Sequence, residues 1–152
     1  MATNWKGYFF TIPATSGTAA QKEAYELANA FPMRLIAFES WRSKPNVREE
    51  IKAYRDDNTR NLTRITASGK KSSFEFKTMD GMKLEDKITL LSWFTSHESD
   101  AQQRKITLKY WNDEESAYKT GTFYRANTDF EVSFVDASTI YYKPATFSLI
   151  EY

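Results

Sequence analysis

Apolar residues recur with a period of two over much of the chain and with spacings of three and four in a few segments. Strands alternating with a small number of helices are therefore expected. Near the N-terminus, Tyr8, Phe10 and Ile12 alternate with Phe9 and Thr11 as far as Pro13, which predicts a first strand ending where proline cannot donate to a ladder. Thr18 to Ala30 is rich in helix formers, yet its apolar positions Ala20, Ala24, Leu27 and Phe31 are mostly small, so residues 13–32 read as a weakly anchored helical or loop insert. Met33 to Trp41 is apolar on both alternating sets, the pattern of a central strand buried on both faces. Pro45 and Asn46 stop it. Asn46 and Glu49 have the spacing of a capping box, and Val47, Ile51 and Tyr54 follow at helical intervals, predicting a short amphipathic helix.

The polar run Arg55 to Arg60 ends that helix. Asn61 to Thr66 then alternates, the turn Ala67-Ser68-Gly69-Lys70 follows, and Phe74, Phe76 and Thr78 continue the alternation, predicting a hairpin with Lys70 and Lys71 near its tip. After Met79-Asp80-Gly81 comes the strongest helical signal, Lys83 to about Ser96, with Leu84, Ile88, Leu91 and Phe94 as the stripe that should lie on a sheet. From Arg104 the pattern is β throughout. Ile106, Leu108 and Tyr110 alternate with Lys105, Thr107 and Lys109, and further strands run over Thr120 to Ala126, Phe130 to Val135 and Ile140 to Tyr152. No repeat, low-complexity tract or linker interrupts the chain. The expectation is a single α+β domain over 1–152, mainly antiparallel β, with one flanking helix and a short second helix.

Composition narrows the chemistry. The 152 residues carry 21 Lys and Arg against 20 Asp and Glu, a net charge of +1, which removes a whole-surface attraction to a polyanion. With no Cys there is no disulfide, thiolate nucleophile or Cys-based metal site, and a single His rules out multi-histidine metal centres. Only a carboxylate metal site survives. No apolar stretch approaches the roughly 20 residues that span a bilayer, and Met1 to Gly7 lacks the order of a signal peptide, so a soluble product is expected. Aromatic residues are abundant, with 11 Phe, 9 Tyr and 4 Trp, and suit strands and large contact surfaces.

Individual motifs are weak. His97 in Ser-His-Glu-Ser-Asp has a carboxylate beside an imidazole, but a solvated His at a helix C-terminus accounts for the same residues. Asp113, Glu114 and Glu115 lack the alternating oxygen ligands and central Gly of a calcium loop and read as a polar hairpin turn. The acid pairs Asp56-Asp57 and Asp113-Glu114 are of a kind any chain with 20 acids offers. The five glycines stand too far apart for a phosphate loop, and no Gly-x-Ser-x-Gly elbow occurs. Lys105, Lys109, Tyr110, Trp111, Tyr118, Lys119, Tyr124 and Arg125 interleave bases with aromatics, as in sheets that stack nucleobases, although Asp113, Glu114, Glu115 and Asp129 interrupt the patch. Exposed aromatics at strand ends serve protein interfaces equally well.

Trp5-Lys6-Gly7-Tyr8, Ala37-Phe38-Glu39-Ser40-Trp41 leading into Pro45 to Glu50, Ala53-Tyr54-Arg55-Asp56 and Leu62-Thr63-Arg64 stand in an order that resembles small structural tail and baseplate proteins of tailed bacteriophages and prophages. The likeness continues through Ser73 to Thr78, Tyr110 to Glu114, Tyr118 to Tyr124, Ile140-Tyr141-Tyr142 and Leu149 to Tyr152, and is weakest over Thr11 to Pro32. The resemblance implies a β-sandwich or split barrel of the tail-tube or hub kind with a flanking helix. It implies a virion protein without enzymatic activity or cofactor, made in the host cytoplasm and joined to other phage tail or baseplate proteins as a homo-oligomeric ring or ring segment. No membrane is involved, and genomic DNA is met only in passing if the ring lines a tail channel. Assembly would then rest on edge strands and aromatic loops: Trp5 and Tyr8, Lys70 and Lys71, Trp111 and Tyr118, Tyr124, and the C-terminal Tyr152. An exposed hairpin that adds as a strand to a neighbour is the sharpest form of this expectation. The reading from a different class is a stand-alone module that binds nucleic acid or glycan through the aromatic sheet.

Overall fold

The structure is a computed structural model that describes residues 4–66 and 69–152. Its strands are β1 (Phe10–Thr11), β2 (Arg42–Val47), β3 (Glu50–Arg55), β4 (Leu62–Thr66), β5 (Lys71–Lys77), β6 (Met82–Lys83), β7 (Lys105–Asn112), β8 (Ala117–Arg125), β9 (Val132–Val135), β10 (Ile140–Tyr142) and β11 (Thr146–Glu151). Two α-helices accompany them, α1 (Ala19–Ala28) and α2 (Leu84–His97). All strand pairings are antiparallel and form three sheets, ordered β1-β7-β8-β11-β5-β2, β6-β10-β9 and β3-β4. The α+β class with mainly antiparallel strands is thus the observed one. No helix among the described residues is long and apolar enough to cross a membrane.

The six-stranded sheet coils without closing. Strands far apart in its order meet through their core-facing side chains: the Phe10 ring of β1 lies 5.2 Å from Phe74 of β5, and Tyr110 of β7 lies 6.0 Å from Phe74. Right-handed twist accumulated over six strands brings the two ends together, but β1 and β2 remain edges, so the barrel stays split. Side-chain hydrogen bonds bridge the split. The Tyr110 hydroxyl donates to Ser72 Oγ at 3.0 Å, Asn112 Nδ2 donates to Asn46 Oδ1 at 3.2 Å, and Ser43 Oγ donates to Asp113. Into the concavity pack Phe10, Phe31, Phe74, Phe76, Phe123 and Phe147, closed over by Leu90 and Phe94 of α2. The Phe94 ring stacks on Phe147 at 5.7 Å, and the Arg125 guanidinium lies 5.2 Å from the Phe94 ring centre. The small sheet lies along α2, where Lys87 Nζ donates to the Tyr142 hydroxyl and Thr139 Oγ1 to Glu85.

Several expectations are corrected. Met33 to Trp41 is not a central strand but two 3-10 turns, Met33–Leu35 and Phe38–Ser40. Ile36 makes a single bridge to Thr78, and Ala37 N donates to Lys77 O, so the segment turns across the end of β5. It buries Leu35 and Ile36 while leaving Phe38 exposed. Residues 46–54 are not helical. Pro45 and Asn46 lie within β2, an edge strand where a missing donor is tolerated, and Asn46 at φ 56° sits at an irregularity between Lys44 and Val47. The positions taken for a helix then extend as β3, which turns at Asp56 and returns as β4. The Asp56 carboxylate accepts from Asn58 N and Thr59 N, which closes that turn. The expected hairpin is therefore paired differently: β4 joins β3, whereas β5 joins β2 and β11. Ala67 and Ser68 of the expected turn lie outside the described residues. The expected first strand shrinks to Phe10–Thr11, and Ile140 to Tyr152 is split at Lys143-Pro144-Ala145 into β10 and β11, giving five strands after Arg104.

Helix α2 turns most of its expected stripe inward: Phe94 is buried and Leu84 and Leu91 pack against the core, but Ile88 is 54% exposed and Leu90 and Trp93 join the packed face instead. Helix α1 begins at a capping box of Thr18 and Gln21, and its buried side chain is Glu26, whereas Leu27 is 62% exposed. A polar clamp anchors it in place of an apolar stripe. Glu26 pairs with Lys109 Nζ of β7 at 2.8 Å, accepts from Ala14 N through its other carboxylate oxygen, and its backbone carbonyl accepts from Thr11 Oγ1. Removing one partner of a pair this buried strands the other charge. Glu26→Ala is expected to cost about 3 kcal/mol, and Leu27→Ala less than about 0.5 kcal/mol, in urea unfolding. Comparable costs for the two variants would return the anchor to apolar packing.

Candidate interaction surfaces

Four of the eight predicted interface residues come together at one end of the β7–β8 ribbon. Trp111 and Tyr118 face each other across the strands, the Trp5 ring lies 5.2 Å from Trp111 and 6.3 Å from Tyr118, and Tyr8 lies 5.0 Å from Tyr118. The Tyr118 hydroxyl ties the N-terminal segment down: it donates to Tyr8 O at 2.7 Å and accepts from Lys6 N at 3.1 Å. Burial raises the Tyr118 pKa above the ordinary phenol value. Trp5 is 39% exposed and Tyr8 only 2%, so Trp5 is open to a partner and Tyr8 lies beneath it.

Tyr124 and Tyr152 form a second patch at the other end of the same face. Their rings meet edge to face at 5.5 Å, Lys105 Nζ sits 4.8 Å over Tyr152, and the Tyr152 hydroxyl donates to Gln103. Between the patches the register places Thr107, Thr120 and Thr122. Lys71 is the first residue of β5, opposite Val47, and Lys70 precedes it. Both are exposed and neither joins the aromatic patches.

The basic residues that would accompany a nucleic-acid face are largely engaged. Tyr110 points into the core, Arg125 is buried against Glu98 at 3.3 Å, Lys109 is held by Glu26, and Lys119 pairs with Glu115 at 3.4 Å. Burial, and then the neighbouring Arg104, depress the Arg125 pKa, with Glu98 opposing. His97 ends α2 against the Trp93 ring, and desolvation lowers its pKa. Surface grooves of about 550, 680 and 530 Å³ are lined by residues such as Arg42, Lys44, Glu75, Lys77 and Arg34, and His97 lines none of them. Among the described residues no three His, Asp or Glu side chains gather as metal ligands.

Two surfaces escaped the sequence reading. Among the described residues the β3–β4 ribbon pairs with no other strand, and every one of its strand residues but Thr66 is exposed, including Ile51, Tyr54, Leu62 and Ile65. Its root is the network at the split: Asn46 N donates to Ser72 Oγ, and Ser72 N donates to Glu151, whose side chain passes over Gly121 where a Cβ would come within 2.5 Å of the carboxylate. The second surface is β9, an edge strand in which Val132, Phe134 and Val135 are all exposed. For the ribbon a signal was available: Glu50 to Arg55 alternates as well as it fits a helix, and Asp56 to Arg60 is turn-rich.

An open, coiled antiparallel sheet filled by one helix, with a free two-stranded ribbon and an apolar edge strand, defines the class of this chain. The model of a family of unknown function, DUF6711, matches residues 27–152, and the chain belongs to that family. The matched stretch begins within α1 and includes the ribbon and β9. No curated protein and no solved structure matches the chain.

The aromatic patch carries a pH dependence. The Tyr8 hydroxyl finds no hydrogen-bond partner among the described residues. Burial, followed by Tyr118, Glu26 and Glu23, pushes its pKa up to about 12. The unfolded phenol ionises near pH 10, so the stability associated with neutral Tyr8 is complete below about pH 10 and is lost as the pH rises through about 12. Tyr8→Phe is expected to be close to neutral at pH 7 and to lose less stability than the parent between pH 10 and 12. Urea midpoints across that range test this, and parallel curves for the two proteins would contradict it.

Proposed function

We propose that this chain is a non-enzymatic structural subunit of a bacteriophage tail, at the baseplate or distal end, that joins other tail proteins in a ring or ring segment. The observation that carries this reading is the β3–β4 ribbon. A lone two-stranded hairpin is marginal in water, and this one displays Ile51, Tyr54, Leu62 and Ile65 rather than burying them. A surface of that kind is completed by another protein. The order of segments that resembles phage tail proteins suggests the class of partner, and Trp5, Trp111, Tyr124 and Tyr152 add aromatic contact area away from the ribbon. The alternative of a nucleic-acid module is less well supported, because three of the four cations beside its aromatics, Lys109, Arg125 and Lys119, are paired with Glu26, Glu98 and Glu115.

On this reading the protein resides in the tail of the virion after synthesis in the host cytoplasm. Gold-labelled antibody against the chain, applied to purified particles of the phage or induced prophage that encodes it, is expected to mark the distal end of the tail. Label at the neck would reassign it to a connector, and particles that contain none of the chain would overturn the proposal.

A further inference from the structure

The ribbon and β9 are two halves of one possible sheet. β9 runs Val-Ser-Phe-Val with all four residues exposed, is hydrogen-bonded on one side to β10 and open on the other, and has none of the proline or lysine that commonly guards an edge. Phe134 at 60% exposure and Val135 at 58% stand at that edge. The charged residues within 129–136 are Asp129, Glu131 and Asp136, all acidic, while Lys143 and Lys83 lie near Glu131 and Asp136 respectively. Glu131 approaches Lys143 at a loose 3.9 Å, while Ser138 and Thr139 donate to the Asp136 carboxylate and, with Lys83, lower its pKa.

β4 has the opposite character. Residues 60–66 contain Arg60 and Arg64 and no acid, with Leu62 and Ile65 exposed, and among the described residues the strand pairs with β3 alone. Arg64 is already bonded to Glu50 at 2.6 Å, which leaves Arg60 as the more available charge. The other edge of the ribbon, β3, mixes Glu50 with Lys52 and Arg55, whereas β4 carries no acid.

We propose that β4 of one copy adds to the open edge of β9 in a second copy, making a composite sheet of the ribbon and β6-β10-β9. Backbone hydrogen bonds supply affinity, and the apolar residues and opposite charges set register. Within one chain the two strands belong to different sheets and do not pair. Because the contact joins two different surfaces it is head to tail, and it must close into a ring or propagate. This inference rests on the tail-subunit reading for its biological setting and names how such subunits would join.

The absence of native cysteine makes the test direct. Thr63→Cys and Ser133→Cys are exposed substitutions, on β4 and β9 respectively, and circular dichroism with urea unfolding confirms that each variant keeps the parent fold. The two are mixed at high concentration and oxidised, beside each variant alone and beside a control pair of Thr63→Cys with Ser148→Cys on the main sheet. A covalent dimer at least about tenfold more abundant in the Thr63/Ser133 mixture supports the contact, tenfold being about 1.4 kcal/mol of preference. Equal yields in all mixtures, or dimer chiefly from Thr63→Cys alone, would overturn it. So would a chain that stays monomeric and uncrosslinked, although the tail reading would then stand, with the strand supplied by another tail protein. Failure of the tail reading shows separately, as absence of the chain from particles.

Discussion

Where the six-stranded sheet fails to close, side chains take over from the backbone. Tyr110 bonded to Ser72, Asn112 to Asn46 and Ser43 to Asp113 span the opening between β7 and the β5–β2 pair. These bonds do two things at once. They hold the sheet curled around its aromatic filling, and through Asn46 in its left-handed conformation they fix the point from which β3 departs. Asparagine tolerates that conformation better than most residues, and Ser72 satisfies the amide the turn exposes. The rest of the molecule follows from this seam: a concave core on one side, and on the other a ribbon that leaves the body at a defined place.

The core itself is an aromatic lattice. Phe10 contacts Phe31, Phe74 and Phe76, while Phe94 carries the lattice across to Phe147 from the helix side. Rings this large bury enough apolar surface to make a compact sheet-and-helix body stable. The two most buried charges among the described residues, Glu26 and Arg125, are both paired. Arg125 with Glu98 closes the end of α2, and Lys109 with Glu26 clamps α1 to β7. Each pair spans distant segments of chain, so it specifies which surfaces meet as well as adding attraction.

Periodicity found what burial is regular enough to write. The alternation of Ile106, Leu108 and Tyr110 became β7, and the helix after Gly81 appears within a residue or two of its expected ends. It failed where burial comes from turning rather than from a flat face. Leu35 and Ile36 are buried because two short turns fold them over the end of β5, and an apolar run cannot distinguish that from a central strand. Ile51 and Tyr54 misled for the opposite reason: their ribbon is exposed on both faces, so no burial pattern singled out a strand over a helix. Of the candidate interface residues, the pairing of Trp111 with Tyr118 follows from hairpin register and was legible, whereas the joining of Trp5 to it depends on a hydrogen bond from Tyr118 to the N-terminal segment, more than a hundred residues away. Lys70 and Lys71 were chosen as a hairpin tip that the observed pairing does not make.

The molecule divides into a body built on one aromatic core and a two-stranded ribbon exposed along almost its whole length. Amide hydrogen exchange on the isolated chain under native conditions tests that division most directly. The amides of β3 and β4 are expected to exchange almost as fast as unprotected peptide, while those of β5, β7, β8 and β11 exchange only with global unfolding. Protection in β3 and β4 equal to that in β7 would contradict the account, because the ribbon would then belong to the folded body and need no partner to complete it.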